Sequence, residues 1–407
     1  MRRLRNLVKD NRRNPNAIVY AVLALVALFW PIVVNMLGAS NLVGFAADAG
    51  VFVVLALGLN VVIGFAGLLD LGYAAFWAIG AYTAGLFASE QLSVSPIGHN
   101  VHLAFWLLIP LGACLAAGFG ALLGAPTLRL RGDYLAIVTL GFGEIVPLIF
   151  TNLGLSQKGG LGDWTSGPNG ITVDQPSLPF WFTGPWAGQN FGIVSPFPFS
   201  FDPVAFYAVM VLLVFVCVLL VNNLYRSRLG RAWMAIREDE VAASAMGVNT
   251  RNVKLLAFSM GAFFAGIAGV YYGSKLSLVT PENFKFQYSV AIVVMIVLGG
   301  MGNIPGVIIG ALTIYFVQYD VLTNLPDWTS NAANTIGLGF LNQPIGTGWI
   351  GLHDEVQRLN FLVFGLILVL FMLLRPQGLL PSRIRAQELA TGDVAEESVF
   401  EVQTSAQ

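Results

Sequence analysis

Between residues 17 and 374 the chain returns repeatedly to apolar runs on the scale of a bilayer crossing: 17–36, 42–63, 68–88, 103–124, 134–152, 203–222, 255–273, 287–300, 304–320 and 359–374. A hydrocarbon core about 30 Å thick needs roughly 20 residues of apolar helix. Backbone in lipid must also satisfy its own hydrogen bonds, which leaves helices or closed barrels. The runs do not alternate with period two, as barrel strands would. The expected fold is therefore all-α: a polytopic membrane helix bundle of about ten spans, several of them short or broken. The bulk numbers agree, with 56% apolar residues, 11% charged residues and a mean hydropathy of +0.73. Soluble domains carry about 25% charged residues. A net charge of −1 gives no reason to expect a nucleic-acid partner.

Charge fixes the expected orientation. Residues 1–16 are basic, with Arg2, Arg3, Arg5, Lys9, Arg12 and Arg13, and the run 17–36 lacks the short core and cleavage site of a removed signal. With this terminus inside the cell, alternation leaves segments 1–16, 128–133, 223–254 and the tail from Arg375 on the inner side. They hold 17 of the 21 lysines and arginines, a strong positive-inside bias. The expected organisation is a basic cytoplasmic N-terminus over 1–16, a permease-like membrane domain over 17–380, and a disordered acidic tail over 381–407. Two long segments, 153–202 and 321–358, are read as outer loops. The run 287–320 is read as two short helices meeting at Gly299-Gly300-Met301-Gly302-Asn303.

Small residues recur every fourth position at Gly112, Ala116, Gly120 and Gly124, at Gly261, Ala265, Gly269 and Gly273, and at Gly302, Gly306 and Gly310. That spacing places them on one helix face, where backbones approach closely. Cys114 and Cys217 fall inside apolar runs and are expected to be small buried hydrophobes rather than a disulfide. His99, His102 and His353 form no closed ligand set, so no metal site is expected. Asp48, Asp70 and Glu144 are the carboxylates within apolar runs. Carboxylates at depth usually face a cavity or a partner. Glu144, midway along its run, is the best candidate for a pathway or gating residue. The competing reading has it satisfied inside the bundle.

Segment 223–254 is polar between two apolar runs. From Arg231 to Met246 it contains neither proline nor glycine, which favours a surface helix. Gly247 suits a left-handed helix terminator, and Asn249 or Thr250 a cap for the next helix. Trp233 and Ile236 would anchor the helix, and Ala242, Ala243 and Ala245 would give it a narrow side. Arg237, Glu238, Asp239 and Glu240 would make charged contacts at its rim. Three consecutive acids suit a protein partner better than anionic lipid.

Glu240-Val-Ala-Ala243 followed by Gly247 resembles the EAA loop of ABC importer permeases. An ordered set of segments resembles, more narrowly, the larger-subunit form of the branched-chain amino-acid permease family. These are Leu55 to Asn60 with Gly64 to Tyr82, Leu128 to Tyr134 with Thr139 to Glu144, Gly230 to Gly247, Leu298 to Asn303, and Leu374 to Leu379. Asp70 departs from the Ser or Gln associated with its position. The resemblance implies a permease subunit translocating branched-chain or hydrophobic amino acids inward. It implies a second permease subunit, a smaller homologous chain, together with two cytoplasmic ATPase subunits and an extracytoplasmic solute-binding protein. Arg237, Glu238, Asp239, Glu240, Ala243 and Gly247 would form the coupling element that docks on an ATPase. Asn60, Asp70, Tyr73 and Glu144 are pathway candidates. The setting implied is a bacterial or archaeal plasma membrane.

The chain contains no phosphate-binding Gly-x-x-x-x-Gly-Lys-Ser/Thr element and no protease or hydrolase motif. It is expected to be a transport subunit rather than an enzyme and to hold no cofactor, with ATP and magnesium bound by the partner ATPase. Two other readings stand beside this one: a same-family permease for urea or short amides, and an ion-coupled transporter using Glu144.

Overall fold

A computed structural model describes residues 15–36, 41–89, 91–94, 101–127, 133–154, 164–173, 177–178, 191–192, 197–198, 203–336, 339–343, 351–374 and 378–380. The basic terminus 1–14, the tail 381–407, His99 and the arginines of 128–132 lie outside them. The chain divides into two compact units, residues 1–293 and 294–407.

The first unit contains α1 (Pro15–Met36), α2 (Asn41–Asn60), α3 (Tyr73–Phe87), α4 (Phe105–Thr127), α5 (Asp133–Asn152), α6 (Pro203–Arg226), α7 (Arg228–Glu238), α8 (Glu240–Ala245) and α9 (Thr250–Leu276), and it takes in the start of α10 (Phe286–Gly299). Seven stretches among the described residues are long and apolar enough to cross a membrane, and Val22–Val34 and Leu362–Phe371 are shorter apolar helices. Among the described residues strand is confined to two-residue pairs, such as Ile171–Thr172 against Leu278–Val279.

α9 lies at the centre of this unit, and its small residues explain why. Gly261 meets Val62 and the Gly58 carbonyl of α2, while Gly269 and Gly273 meet the backbone of α3 around Trp77 and Ala81. On another face Gly266 touches the Gly112 carbonyl and Ala113 of α4, and Gly80 of α3 also contacts it. Three backbones thus converge on Gly266, and any side chain there would strike main-chain atoms that cannot move aside. Gly112, Ala116, Gly120 and Gly124 are buried along α4, as the fourfold spacing predicts.

Three expectations about helices change, and one about a cysteine. The run 68–88 does not open as helix: α3 starts only at Tyr73, and residues 66–72 form an irregular link from α2. The cause lies upstream, where α2 runs into a π-helix at Val61–Phe65 and then a left-handed Gly67. Cys217 is buried, but Cys114 is exposed. Residence in an apolar run does not distinguish a core-facing position from an outward-facing one.

The second change concerns residues 321–358, read as a loop. In the second unit α11 (Ile304–Phe316) passes through a π-helix at Val317–Val321 into α12 (Leu322–Thr335), and α13 spans Leu352–Leu374. Pro326 marks this stretch as broken, yet it falls just after the wide π-turn, where helical bonding is already rearranged. The third change is Gly302. It lies in the α10–α11 turn with a positive φ, as Gly300 does, and only Gly306 and Gly310 pack in the helix, against Gly299 and Met295. The chain beyond α13 clips this turn: the Leu379 and Leu380 amides donate to the Leu298 and Gly299 carbonyls, and Asn303 Nδ2 donates to the Leu380 carbonyl at 2.8 Å. The segments 298–303 and 374–379, singled out by resemblance, thus meet through the described ends of the second.

Candidate functional site

The polar segment after α6 folds as two helices. Ser227 accepts from the Gly230 amide at 3.2 Å and starts α7. Asp239 is extended, and its carboxylate accepts from the Val241 and Ala242 amides at 2.8 and 3.0 Å, which starts α8. The single helix expected over 231–246 is therefore interrupted, because an aspartate satisfies free N–H groups better as a cap than inside a helix. Gly247 ends α8 with φ +85°, and Asn249 caps α9 by accepting from the Asn252 amide.

The anchor residues behave as expected. Trp233 is fully buried and donates from Nε1 to the Val253 carbonyl at 2.7 Å, and Ile236 is buried beside it. The charged rim is different. Arg237 turns inward and donates to the Gly64 carbonyl at 2.7 Å. Glu240 pairs with Lys254 at 2.6 Å. Asp239 is occupied as the cap, which leaves Glu238 as the exposed charge of the four without such a task among the described residues. Ala243 is buried, whereas Ala242 and Ala245 are exposed. Val241 and Met246 stand out most, at 75% and 86% exposure. The sequence reading passed over both. An aliphatic residue on each side of an alanine-rich turn was their only signal.

The inward turn of Arg237 connects this helix pair to the π-helix. A π-turn shifts the bonding register by one residue and leaves main-chain acceptors available. Gly64 lies within it, and its carbonyl takes the guanidinium. The aliphatic part of Arg237 rests on Gly67, and Phe65 packs on Tyr225 with ring centroids 5.2 Å apart. The link 66–72 leads on to Asp70, which is 1% exposed. Its carboxylate accepts from the Gly72 amide at 2.9 Å, and the Thr139 hydroxyl of α5 also bonds to it. The same hydroxyl accepts from the Leu71 amide at 3.1 Å. Asp70, Thr127, Thr139, Phe142 and Phe258 line a small cleft between α3, α4, α5 and α9.

The four pathway candidates do not form one group. Asn60, Asp70 and Tyr73 are all buried around the π-helix and its link, and the Tyr73 hydroxyl donates to the Gly261 carbonyl at 2.9 Å. Glu144 is on the outer surface of α5, one residue after Gly143, which packs on Gly72. Neither the interior of the bundle nor the cleft holds it. Asp48 is paired with Lys275 at 2.6 Å, and Lys275 also donates to the Gly44 carbonyl at 2.8 Å, tying α2 to the end of α9. Trp77 Nε1 and the Tyr82 hydroxyl are buried donors with no acceptor among the described residues.

Glycine-packed apolar helices, a helix interrupted at its end, and a polar helix pair bonded to that interruption define a polytopic membrane protein of the helix-bundle class. The family model described as the permease component of a branched-chain amino acid transport system matches residues 41–372. The chain is 37% identical over 371 residues to the high-affinity branched-chain amino acid transport system permease protein LivM of Escherichia coli K12, covering 88% of this chain and 73% of that one. A probable LivM of Methanocaldococcus jannaschii is 25% identical over 82% of this chain and 91% of its own length. LivH of Salmonella typhimurium is 28% identical over 64% of this chain and 78% of its own. No solved structure matches. The chain belongs to the branched-chain amino-acid transport permease family.

Proposed function

We propose that this chain is the larger permease subunit of an ATP-driven importer that moves branched-chain and other apolar amino acids inward across a plasma membrane. Kinship with proteins named LivM and LivH, both permeases of branched-chain transport systems, supports a second permease subunit beside it. Two ATPase subunits inside the cell and a solute-binding protein outside complete the assembly. The N-terminus lies in the cytoplasm, on the side of most of the lysines and arginines. ATP and magnesium belong to the ATPases, in keeping with the absence of a phosphate-binding loop here.

The observation that carries the coupling role is the exposed pair Val241 and Met246 on a helix pair anchored by buried Trp233. An apolar tip on a rigid polar mount suits insertion into a cleft of another protein. An ordinary interfacial helix would instead turn its apolar face to the lipid. Movement of an ATPase would pass through α7 and Arg237 to Gly64 and the link 66–72, and so to α3 and α5. Asn60, Asp70 and Tyr73 belong to this transmission region; their burial argues against a lining role in this state. Met246→Glu is expected to abolish co-purification of the ATPase and uptake of leucine while the chain still inserts in the membrane. Leucine uptake at the wild-type rate in that variant would defeat the reading. Gly247→Pro should behave likewise, because proline cannot adopt a φ of +85°.

A further inference from the structure

The outward faces of the spans in the first unit differ in one respect. α1 exposes Val22, Leu25, Leu28, Phe29 and Ile32, α4 exposes Leu107, Leu115, Phe119 and Leu122, and α6 exposes Leu212, Phe215, Val216 and Leu219. Among the described residues these faces carry no carboxylate, ammonium or guanidinium within their apolar stretches, and all suit lipid. α5 exposes Tyr134, Ile137, Ile145 and Leu148, and it exposes Glu144 among them. Steps of three and four join 134, 137, 141, 144 and 148 into a single face. At its middle Gly141 has nothing near the position a side chain would take. This is also the least enclosed of the long spans, with 22% of its apolar window buried against 72% for Leu42–Phe65.

Lipid is a poor neighbour for that face. Glu144 lies eight residues from the end of α5 at Asn152, about 12 Å at 1.5 Å per residue, and so is well inside a crossing. It makes no hydrogen bond or ion pair among the described residues. Lys285 is close enough to feel its charge but is itself bonded to Glu282. A carboxylate at that depth needs a partner or a polar cavity. A glycine left open beside it gives a second helix room to approach closely.

We propose that this face of α5 is where a second permease chain packs, with Gly141 admitting one of its helices and Glu144 bonded to a donor or cation that the helix presents. The proposal rests on the reading that the importer contains two permease subunits, and it names the surface that joins them.

The test uses the whole importer in its membrane. A photo-crosslinking residue is placed at Ile137 or Leu148 of α5, and at Phe119 of α4 and Phe215 of α6 as lipid-facing controls. The α5 positions are expected to give an adduct with the second permease, identified by mass spectrometry, and the controls to give none. Absence of α5 adducts, or equal adducts from the controls, overturns the proposal. Gly141→Trp should cut the second permease that co-purifies by about tenfold through loss of close helix packing. Gly118→Trp, at an equally open glycine on α4, should leave it intact. Full assembly of Gly141→Trp would also overturn the proposal. A wild-type preparation with no second permease would remove the two-permease reading itself. A preparation that contains one but gives no α5 adduct would remove only this interface.

Discussion

Asp70 and Glu144 are both carboxylates in apolar surroundings, and the structure treats them in opposite ways. Asp70 is sealed in, bonded to the Gly72 amide and the Thr139 hydroxyl, at a place where the chain leaves helix and needs bonding for free main-chain groups. Glu144 stands a few residues beyond Thr139 on the same α5, but it faces outward with no bond of its own among the described residues. One carboxylate completes the fold of a single chain, and the other is left for something outside it. The same type of residue at a similar cost therefore reports architecture in one case and assembly in the other. The distinction is burial together with bonding, and neither is visible in hydropathy.

The most damaging test of that contrast is steric. Gly72 packs so closely on the Thr139 carbonyl that a side chain at residue 72 would occupy the same space. Overpacking of a well-filled core costs about 1–3 kcal/mol, and more when the obstacle is backbone. Gly72→Val should therefore prevent recovery of folded chain from detergent-solubilised membranes, whereas Gly141→Val, with open space around it, should be recovered at the wild-type level. Equal recovery of the two would erase the difference between an internal and an external face of α5.

Removing the carboxylates comes next. Asp70→Ala leaves the buried Gly72 amide unpaired, which costs about 1–3 kcal/mol. The purified subunit should melt at a lower temperature, and Asp70→Asn, which keeps an acceptor, should recover part of the loss. Glu144→Ala should leave the melting temperature of the isolated subunit unchanged, because among the described residues that side chain makes no hydrogen bond or ion pair. Its effect should show only in the assembled importer.

Arg237 supplies a third comparison, since it reaches the same region from outside the spans. Arg237→Ala loses one charge-assisted bond to Gly64, worth about 1.5–3 kcal/mol on general grounds and less where water has access. Membrane level should hold, while leucine uptake per ATP hydrolysed should fall. Lysine in its place should restore little, because one ammonium cannot reproduce the planar reach of the guanidinium. Undiminished coupling in Arg237→Ala would mean that the π-helix is not the point at which force enters.

Much of the fold was legible in advance because lipid leaves the chain few options. Each of the ten apolar runs overlaps a helix, although the helix drawn from 68–88 covers only its latter part. The α4 ridge and the Gly247 terminator followed directly from spacing. The helix break at Asp239, the π-helix at Val61–Phe65 and the helix over 322–335 were not legible. Each depends on competition between main-chain and side-chain bonding that local propensity does not decide. In the candidate site, Trp233 and Ile236 were read correctly as anchors, but Arg237 was placed at the rim. Its true partner is a carbonyl 173 positions away in sequence, exposed by a helical irregularity that leaves no mark in composition.

The finest of the comparisons concerns Thr139, which joins α5 to the Asp70 link. Its hydroxyl accepts from the Leu71 amide and bonds to Asp70, and it also lies 3.1 Å from the Ala136 carbonyl. Thr139→Val keeps the shape and removes the hydroxyl, so the Leu71 amide and Asp70 each lose a partner. A net cost of about 1 kcal/mol is expected, since Gly72 still serves Asp70. Thr139→Ser keeps the hydroxyl and should melt close to wild type. Once Asp70 is already alanine, Thr139→Val should cost less than it does in the wild-type chain, because only the loss at the Leu71 amide remains. A double-mutant cycle measures this directly. If the two losses simply added, the hydroxyl would be serving the Leu71 amide alone, and the account of Asp70 as a carboxylate satisfied from two sides would have to be reduced to its bond with Gly72.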